Sequence, residues 1–300
     1  MWGWLAALVA LLFAVPSTLA DGKVNRARGK RTNLVFVFDG SRSLDAEARA
    51  TAVDIAVQIA SDFPHAKFQS IWFGRVPELL WEAPLNGKNA GDLLRELKGK
   101  TPENGSNFRQ AVELATSWAK RQPGRTQIVA FTDGMWPDTD LKDVNVDLRI
   151  LEFSAFESEK FCLERGTNRI FWGVNETITL SSAGRPDEES IRTAAQTLMG
   201  AAGVGSVGCV RGGIWPTPNV PSMESARVWF DDEIEVAVQA CGLENRKISL
   251  DVETSKAEIV EVHTTESGEF ANCVVEKVWR LSLPSSLFAR RASRYSFNVP

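Results

Sequence analysis

Downstream of residue 32, the chain alternates between short segments rich in consecutive apolar residues and longer segments with apolar residues at helical spacing. The first pattern is typical of strands buried on both faces of a sheet, and the second is typical of amphipathic helices. Four strands are predicted, at residues 34–38, 68–73, 127–132 and 148–153. Four helices are predicted, at residues 45–63, 90–97, 107–120 and 188–202. This alternation predicts an α/β domain over residues 32–202, with a doubly wound, mostly parallel sheet between two layers of helices.

A segment rich in glycine and proline follows at residues 203–224 and has the composition of a linker. Residues 225–300 then predict a smaller α+β unit. Its expected elements are strands at 247–252, 259–263 and 295–299 and a helix at 270–279. Residues 234–241 fit either a helix or a strand, and the pattern does not separate the two.

The first twenty residues have the pattern of a secretory signal peptide. Residues 4–15 are almost wholly apolar, and small residues follow Pro16 as far as Ala20. The apolar run is shorter than a bilayer-spanning helix needs. No Lys or Arg precedes it, so an uncleaved anchor or a misassigned start remains the alternative. We expect residues 1–20 to direct export to the periplasm or the exterior, and the polar, basic residues 21–31 to form a linker.

Bulk composition narrows the function classes. The 300 residues carry a net charge of −4, with 44% hydrophobic and 24% charged residues. These fractions are ordinary for a globular protein with a buried core. A weakly acidic chain lacks the strongly basic balance that nucleic-acid binding favours.

Four cysteines, all in the second half of the chain, indicate disulfides if the protein is exported. No two of them have C-x-x-C spacing, and the chain holds only two histidines, which disfavours the alternative of a zinc site. Four cysteines allow three connectivities. The leading prediction is sequential pairing, Cys162 with Cys209 and Cys241 with Cys273.

Three loops carry candidate chemistry. Asp39, Ser41 and Ser43 directly follow the first predicted strand, where an α/β sheet binds its ligands. Ser106 lies just before a predicted helix, and Asp133 follows another buried strand. Carboxylate and hydroxyl oxygens are hard ligands that suit Mg²⁺ or Mn²⁺.

Together these loops resemble the metal-ion-dependent adhesion site of von Willebrand factor A domains. The shared parts are Asp-x-Ser-x-Ser after strand one, Gly105-Ser106-Asn107 at a helix entry and Thr132-Asp133-Gly134 after a later strand. The family usually has threonine where this chain has Ser106. By this resemblance, the three serine hydroxyls coordinate the ion, and the two aspartates act directly or through waters. The resemblance also implies an open coordination position that takes an acidic group from a partner protein.

The C-terminal unit resembles the C-terminal modules of TonB and of gliding-motility proteins. Cys273-Val274 near a helix start and Trp279 five residues before Pro284 carry this resemblance. It implies a module that binds within the cell envelope, with a Cys241–Cys273 disulfide. A generic α+β cap on the first domain is the alternative.

The sequence leaves three function hypotheses. The leading one is a non-enzymatic, metal-dependent binding protein that recognises an acidic group on a protein partner. The second is an envelope scaffold that acts through its C-terminal unit, with an incidental metal. The third is a metal-dependent hydrolase, although Ser41 lies outside a Gly-x-Ser-x-Gly motif. Each site residue alone is also an ordinary turn or cap residue, so the metal prediction depends on all five together.

Overall fold

The computed structural model describes residues 32–81, 84–134, 141, 146–153, 162–165, 176–181, 185–200, 206–207, 222–242, 247–255, 258–288 and 293–299. The predicted signal segment 1–20, the linker 21–31 and most of the linker 203–224 lie outside these residues. Within the described residues, no helix is both long enough and apolar enough to cross a membrane.

The larger sheet belongs to the first unit. Its described strands are β1 (Thr32–Asp39), β2 (Lys67–Phe73), β3 (Glu78–Leu79), β4 (Leu85–Asn86), β5 (Arg125–Thr132), β6 (Asp147–Phe153), β7 (Cys162–Arg165), β8 (Glu176–Ser181) and β9 (Ser206–Val207). Their order is β3-β2-β1-β5-β6-β8-β7-β9, and β4 also pairs with β2. Strands β2, β1, β5, β6 and β8 run parallel, whereas the pairs made by β3, β4, β7 and β9 are antiparallel. The predicted mostly parallel sheet is therefore confirmed.

Helices cover both faces of this sheet. They are α1 (Ala46–Asp62), α2 (Gly87–Glu96), α3 (Phe108–Lys120) and α4 (Glu188–Leu198). Alternate residues of β1 belong to two different apolar clusters: Phe36 packs on the side of α1, α2 and α4, and Val35 and Val37 pack on the side of α3. Because both faces of the sheet are buried, the central strands have continuous runs of apolar residues in the sequence.

The structure adds strands that the apolar pattern did not predict, namely β3, β4, β7, β8 and β9. Four of them are short antiparallel strands of two to four residues, which leave little pattern to detect. The sheet continues to β9, so it reaches Val207. Helix α2 begins three residues earlier than predicted, and α4 ends four residues earlier, at Leu198.

The C-terminal unit has a three-stranded antiparallel sheet and two helices. Its elements are α5 (Met223–Gln239), β10 (Ile248–Ser255), β11 (Glu258–Thr264), α6 (Glu269–Trp279) and β12 (Ser293–Val299), with strand order β11-β10-β12. The ambiguous residues 234–239 are helical, because they complete α5, whose N-cap is Ser222. The two helices and the sheet enclose one apolar cluster around Phe230 and Val252. The predicted α+β class of this unit is therefore confirmed.

A disulfide joins the end of α5 to α6. Cys241 and Cys273 are bonded, with a Cα–Cα distance of 5.9 Å. One of the two predicted pairings is thereby confirmed. The other remains a prediction, because Cys209 lies outside the described residues.

Candidate functional site

The loop that follows β1 turns sharply against the neighbouring strand β2. The Gly40 amide donates to the Phe73 carbonyl at 2.7 Å. A β-carbon at Gly40 would lie only 2.1 Å from the indole nitrogen of Trp72, so this position accepts no side chain. The close approach fixes the start of the loop, and with it the direction in which Asp39, Ser41 and Ser43 leave the sheet.

Backbone hydrogen bonds tie this loop to the segment that precedes α3. The Glu103 amide donates to the Gly40 carbonyl at 2.9 Å, and the Arg42 amide donates to the Glu103 carbonyl at 3.0 Å. Gly105 takes a φ of +99°, and a β-carbon there would lie 2.6 Å from the Cα of Arg75. These contacts bring Ser106 beside the loop after β1.

The two predicted aspartates lie at the carboxyl ends of the adjacent strands β1 and β5, and both are buried. One oxygen of Asp39 accepts from the Ser41 amide at 2.9 Å, and the other accepts from the Thr132 hydroxyl at 2.6 Å. The Thr132 hydroxyl accepts in turn from the Gly134 amide at 3.0 Å. Thr132 therefore orients Asp39 and holds the loop that carries Asp133.

Two of the three predicted serines, Ser43 and Ser106, contact one carboxylate that the sequence did not single out, and the third, Ser41, contacts Ser43. The Ser41 and Ser43 hydroxyls lie 2.9 Å apart. The Ser106 hydroxyl donates to one oxygen of Glu258 at 2.7 Å, and the Ser43 amide donates to the other at 3.0 Å. Glu258 is the first residue of β11, in the C-terminal unit, and is 0% exposed.

Burial and mutual repulsion raise two carboxyl pKa values here. Loss of solvent, followed by the charge of Asp133, raises the pKa of Asp39 to about 7. Loss of solvent, followed by the charges of Asp39 and Asp133, raises the pKa of Glu258 to about 8. Hydrogen bonds from nearby hydroxyl and amide groups oppose both shifts without cancelling them. Asp39 and Glu258 therefore lie beside Asp133 in a poorly solvated space that disfavours the charged forms of these two carboxyl groups.

One cationic side chain comes near this group from α1. Arg49 donates to the carbonyls of Ser41 and Leu44, the first at 3.2 Å. Partial burial lowers the pKa of its guanidinium, while the charges of Asp45 and Asp39 oppose that shift. Arg49 thus holds the loop backbone and contributes positive charge close to Asp39.

The two units meet around the same group. Asn104, which is buried, donates to the carbonyls of Trp279 at 2.7 Å and Leu281 at 2.8 Å, and accepts from the Ile259 amide at 3.2 Å. Arg75 forms an ion pair with Glu276 at 2.7 Å and lies over the Trp279 ring at 4.9 Å. Beside these contacts, a cleft of about 560 Å³ reaches the surface, and Ser106 is the predicted ligand that lines it.

The donor chemistry fits a hard divalent cation. The His, Cys, Asp and Glu side chains in the described parts of the chain do not by themselves form a three-residue metal cluster. Serine hydroxyls must therefore complete any such site, as they do in the predicted set. All candidate donors are oxygens, which Mg²⁺ and Mn²⁺ prefer, and a cation would offset the repulsion among Asp39, Asp133 and Glu258.

Sequence reasoning missed three contributors. Thr132 was noted only as part of a motif, and Asn104 is a polar residue in a loop whose partners lie about 155–177 positions away. The sequence around Glu258 has no pattern that would indicate a buried acidic residue. A polar residue opening a predicted strand was the only available signal, and it is equally typical of an exposed strand end.

Comparison with known proteins gives a family match and distant structural similarities. Residues 34–135 match the family model described as von Willebrand factor type A domain. No curated protein matches the sequence.

Among the solved structures that are similar to this chain, three illustrate the range. The type V pili tip protein Mfa5 from Porphyromonas gingivalis, solved as three N-terminal domains, is 15% identical, with a TM-score of 0.31 over 35% of this chain and 20% of that one. BatB from Bacteroides thetaiotaomicron is 15% identical, with a TM-score of 0.38 over 57% and 98%. The manganese-loaded TRAP protein from Plasmodium vivax is 13% identical, with a TM-score of 0.36 over 62% and 66%. This chain spans about one fifth of the pili tip structure.

The family match runs from within β1 to just beyond β5, and this range includes all five predicted site residues. It agrees with the doubly wound sheet and with the position of the loops at its carboxyl edge. The first unit of this chain therefore has a von Willebrand factor type A-like fold, and the match to that family lies within its residues 34–135.

Proposed function

We propose that this chain is an exported, non-enzymatic binding protein that holds Mg²⁺ or Mn²⁺ at Asp39, Ser41, Ser43, Ser106 and Asp133. The domain family often mediates metal-dependent protein interactions, which supports this class of function. The partner in this proposal is a protein that presents an acidic group, and the location is the periplasm or the exterior.

The convergence of three loops is the observation that carries the proposal. Ser43 and Ser106 contact the same carboxylate, and the hydroxyls of Ser41 and Ser43 contact each other. The charge of Asp133 raises the pKa of Asp39. Such convergence is not needed for turn or cap residues, which act on their own loops. Neutral hydroxyl ligands leave most of the charge of a cation uncompensated, so it can attract an additional carboxylate.

Calorimetric titration of the chelator-treated protein with Mg²⁺ and Mn²⁺ tests the metal. We expect one ion per chain, and we expect Asp39→Asn to weaken binding at least about tenfold, because it removes charge from the ligand set without changing size. Asp232→Asn is the matched control, since Asp232 is exposed on α5. Absence of binding at millimolar metal, or equal binding by both variants, would contradict the proposal.

A pull-down from cell-envelope extract tests the partner. Capture that requires Mg²⁺, disappears with chelator and is lost in Asp39→Asn but not in Asp232→Asn supports recognition through the metal. Capture that ignores both the chelator and the substitution contradicts it.

A scaffold function through the C-terminal unit is the second candidate, and one observation favours it. Helix α5 exposes large apolar side chains, with Val228 57% and Val236 61% exposed. Exposed apolar residues on one helix can bind a partner without a cation. Under this alternative, Val236→Asn abolishes capture in the same pull-down, and chelator has no effect.

A hydrolase is the third candidate, and the described residues give it less support. His263 pairs with Glu261 at 2.6 Å on β11, and His65 is exposed in the turn after α1. Neither histidine has a described hydrogen bond to a serine of the candidate site. Turnover of a generic phosphoester or ester that Asp39→Asn abolishes would revive the hydrolase and contradict the non-enzymatic proposal.

A further inference from the structure

Glu258 is presented to the candidate metal site by the same chain that forms the site. Its two oxygens engage one loop each: the Ser106 hydroxyl donates at 2.7 Å, and the Ser43 amide donates at 3.0 Å. Residues Ser43 and Glu258 are 215 positions apart. The carboxylate thus belongs to the C-terminal unit but contacts two of the three predicted ligand loops of the first unit.

No described positively charged side chain pairs with the Glu258 carboxyl group. Glu258 is fully buried, and within the described part of the chain it has hydrogen-bond donors but no ion-pair partner. Two described cations lie nearby but bond elsewhere: Arg49 donates to backbone carbonyls on the side of Asp39, and Arg42 donates to the Leu281 carbonyl and the Ser282 hydroxyl. A buried carboxylate without a counter-charge is costly, and a divalent cation among these loops would supply one.

The neighbouring contacts hold Glu258 in place independently of its own hydrogen bonds. Asn104 accepts from the amide of the next residue, Ile259, and also donates to two carbonyls of the C-terminal unit. Arg75 adds an ion pair and a ring contact at the same interface. The Ser106 hydroxyl can donate its proton to Glu258 and still offer a lone pair to a cation, because a hydroxyl has one proton and two lone pairs.

From these contacts we infer that Glu258 is an intramolecular ligand of the cation, so that the C-terminal unit closes the metal site in cis. The inference rests on the proposed metal site and names the source of the carboxylate. It follows that the acidic group of a partner must displace Glu258, and that the cation ties the two units together while Glu258 is bound.

Mn²⁺ binding by the full-length protein, monitored by calorimetry and by the relaxation rate of water protons, tests the inference. We expect Glu258→Gln to weaken Mn²⁺ binding at least about tenfold, within the range known for groups that support a metal site. Glu258→Ala opens a position to solvent, so water relaxation per bound ion rises above that of the wild type. Sodium acetate then lowers the relaxation of the Glu258→Ala protein and leaves the wild type unchanged.

Glu235→Gln is the matched control, because Glu235 is exposed on α5 of the same unit and the change removes the same charge. Circular dichroism checks folding, and Glu258→Asp, which keeps the carboxylate on a shorter side chain, should fall between wild type and Glu258→Gln. Absence of Mn²⁺ from the wild type contradicts the proposed function itself. Equal affinity and equal water relaxation in wild type and the Glu258 variants overturn only the intramolecular ligand and leave the five-residue site standing.

Discussion

The two units of this chain bury their cores differently. The sheet of the first unit is covered on both faces, and its central strand β1 is buried along seven of its eight residues. The sheet of the C-terminal unit is covered on one face, and β10 alternates between buried and half-buried residues. The larger unit therefore has two apolar layers, whereas the smaller has one layer and a disulfide.

This difference indicates where each unit depends on support from outside its own core. A domain of about 75 residues buries a smaller fraction of its surface than one of about 170. The C-terminal unit compensates at one end with the Cys241–Cys273 bond. At the other end, Glu258 and Ile259 are held by loops of the first unit. The smaller unit thus depends on one internal cross-link and on one interface with the first unit.

Equivalent core deletions in the two units should give the largest effect. The rings of Phe36 and Phe68 are stacked, with their centroids 5.5 Å apart. The ring centroid of Phe230 lies 5.0 Å from that of Phe288 and 5.1 Å from that of Tyr295. Each Phe→Ala change should cost about 3–5 kcal/mol of unfolding free energy. We expect Phe230→Ala to unfold the C-terminal unit while β5 stays protected, and Phe36→Ala to leave a folded but weakened protein.

Hydrogen exchange followed by mass spectrometry distinguishes these results, because it reports the strands of each unit separately. Loss of protection over the whole chain in both variants would show that the units unfold as one body. The first unit would then not be more independent of its neighbour than the C-terminal unit is.

Removal of the disulfide should give the next largest effect. The bond closes a loop with a sequence separation of 32, and loop-closure entropy predicts a loss of about 3–4 kcal/mol for such a loop. We expect Cys241→Ser with Cys273→Ser to lower the denaturant midpoint of the C-terminal unit and to leave that of the first unit unchanged. The matched control is Ser249→Ala, a change on the half-buried face of β10. An unchanged midpoint in the double variant would show that the interface alone holds this unit.

The same contrast explains how much the sequence could predict. Continuous apolar runs such as residues 34–38 identified four of the five parallel strands, with β8 missed. The five site residues follow or precede predicted elements within one unit. These features depend on neighbours in sequence or on the rule that ligands gather at the carboxyl ends of strands. Glu258 and Asn104 meet only because two units dock, and no local pattern encodes that docking. The short edge strands were missed for a related reason, since two residues carry no period.

The smallest of these effects should come from the interface, at Asn104. Its amide makes three hydrogen bonds to backbone groups of the C-terminal unit. Asn104→Ala therefore removes the side-chain partner of the Ile259 amide and of the Trp279 carbonyl, whereas the Leu281 carbonyl keeps its bond from Arg42. Unsatisfied buried polar groups cost about 1–3 kcal/mol, but water entering from the adjoining cleft reduces that cost. We expect faster exchange of the Ile259 amide, a modest loss of stability in the C-terminal unit and no change in β5.

Asn107→Ala is a control from the same loop, because Asn107 caps α3 through its own side chain and has no described side-chain bond to the C-terminal unit. It should weaken the first unit without accelerating exchange at Ile259. If Asn104→Ala also leaves exchange at Ile259 unchanged, the hydrogen bonds of Asn104 do not hold the start of β11. Support for the smaller unit must then come from the remaining contacts of the interface, which are those of Glu258, Arg75 and Arg42.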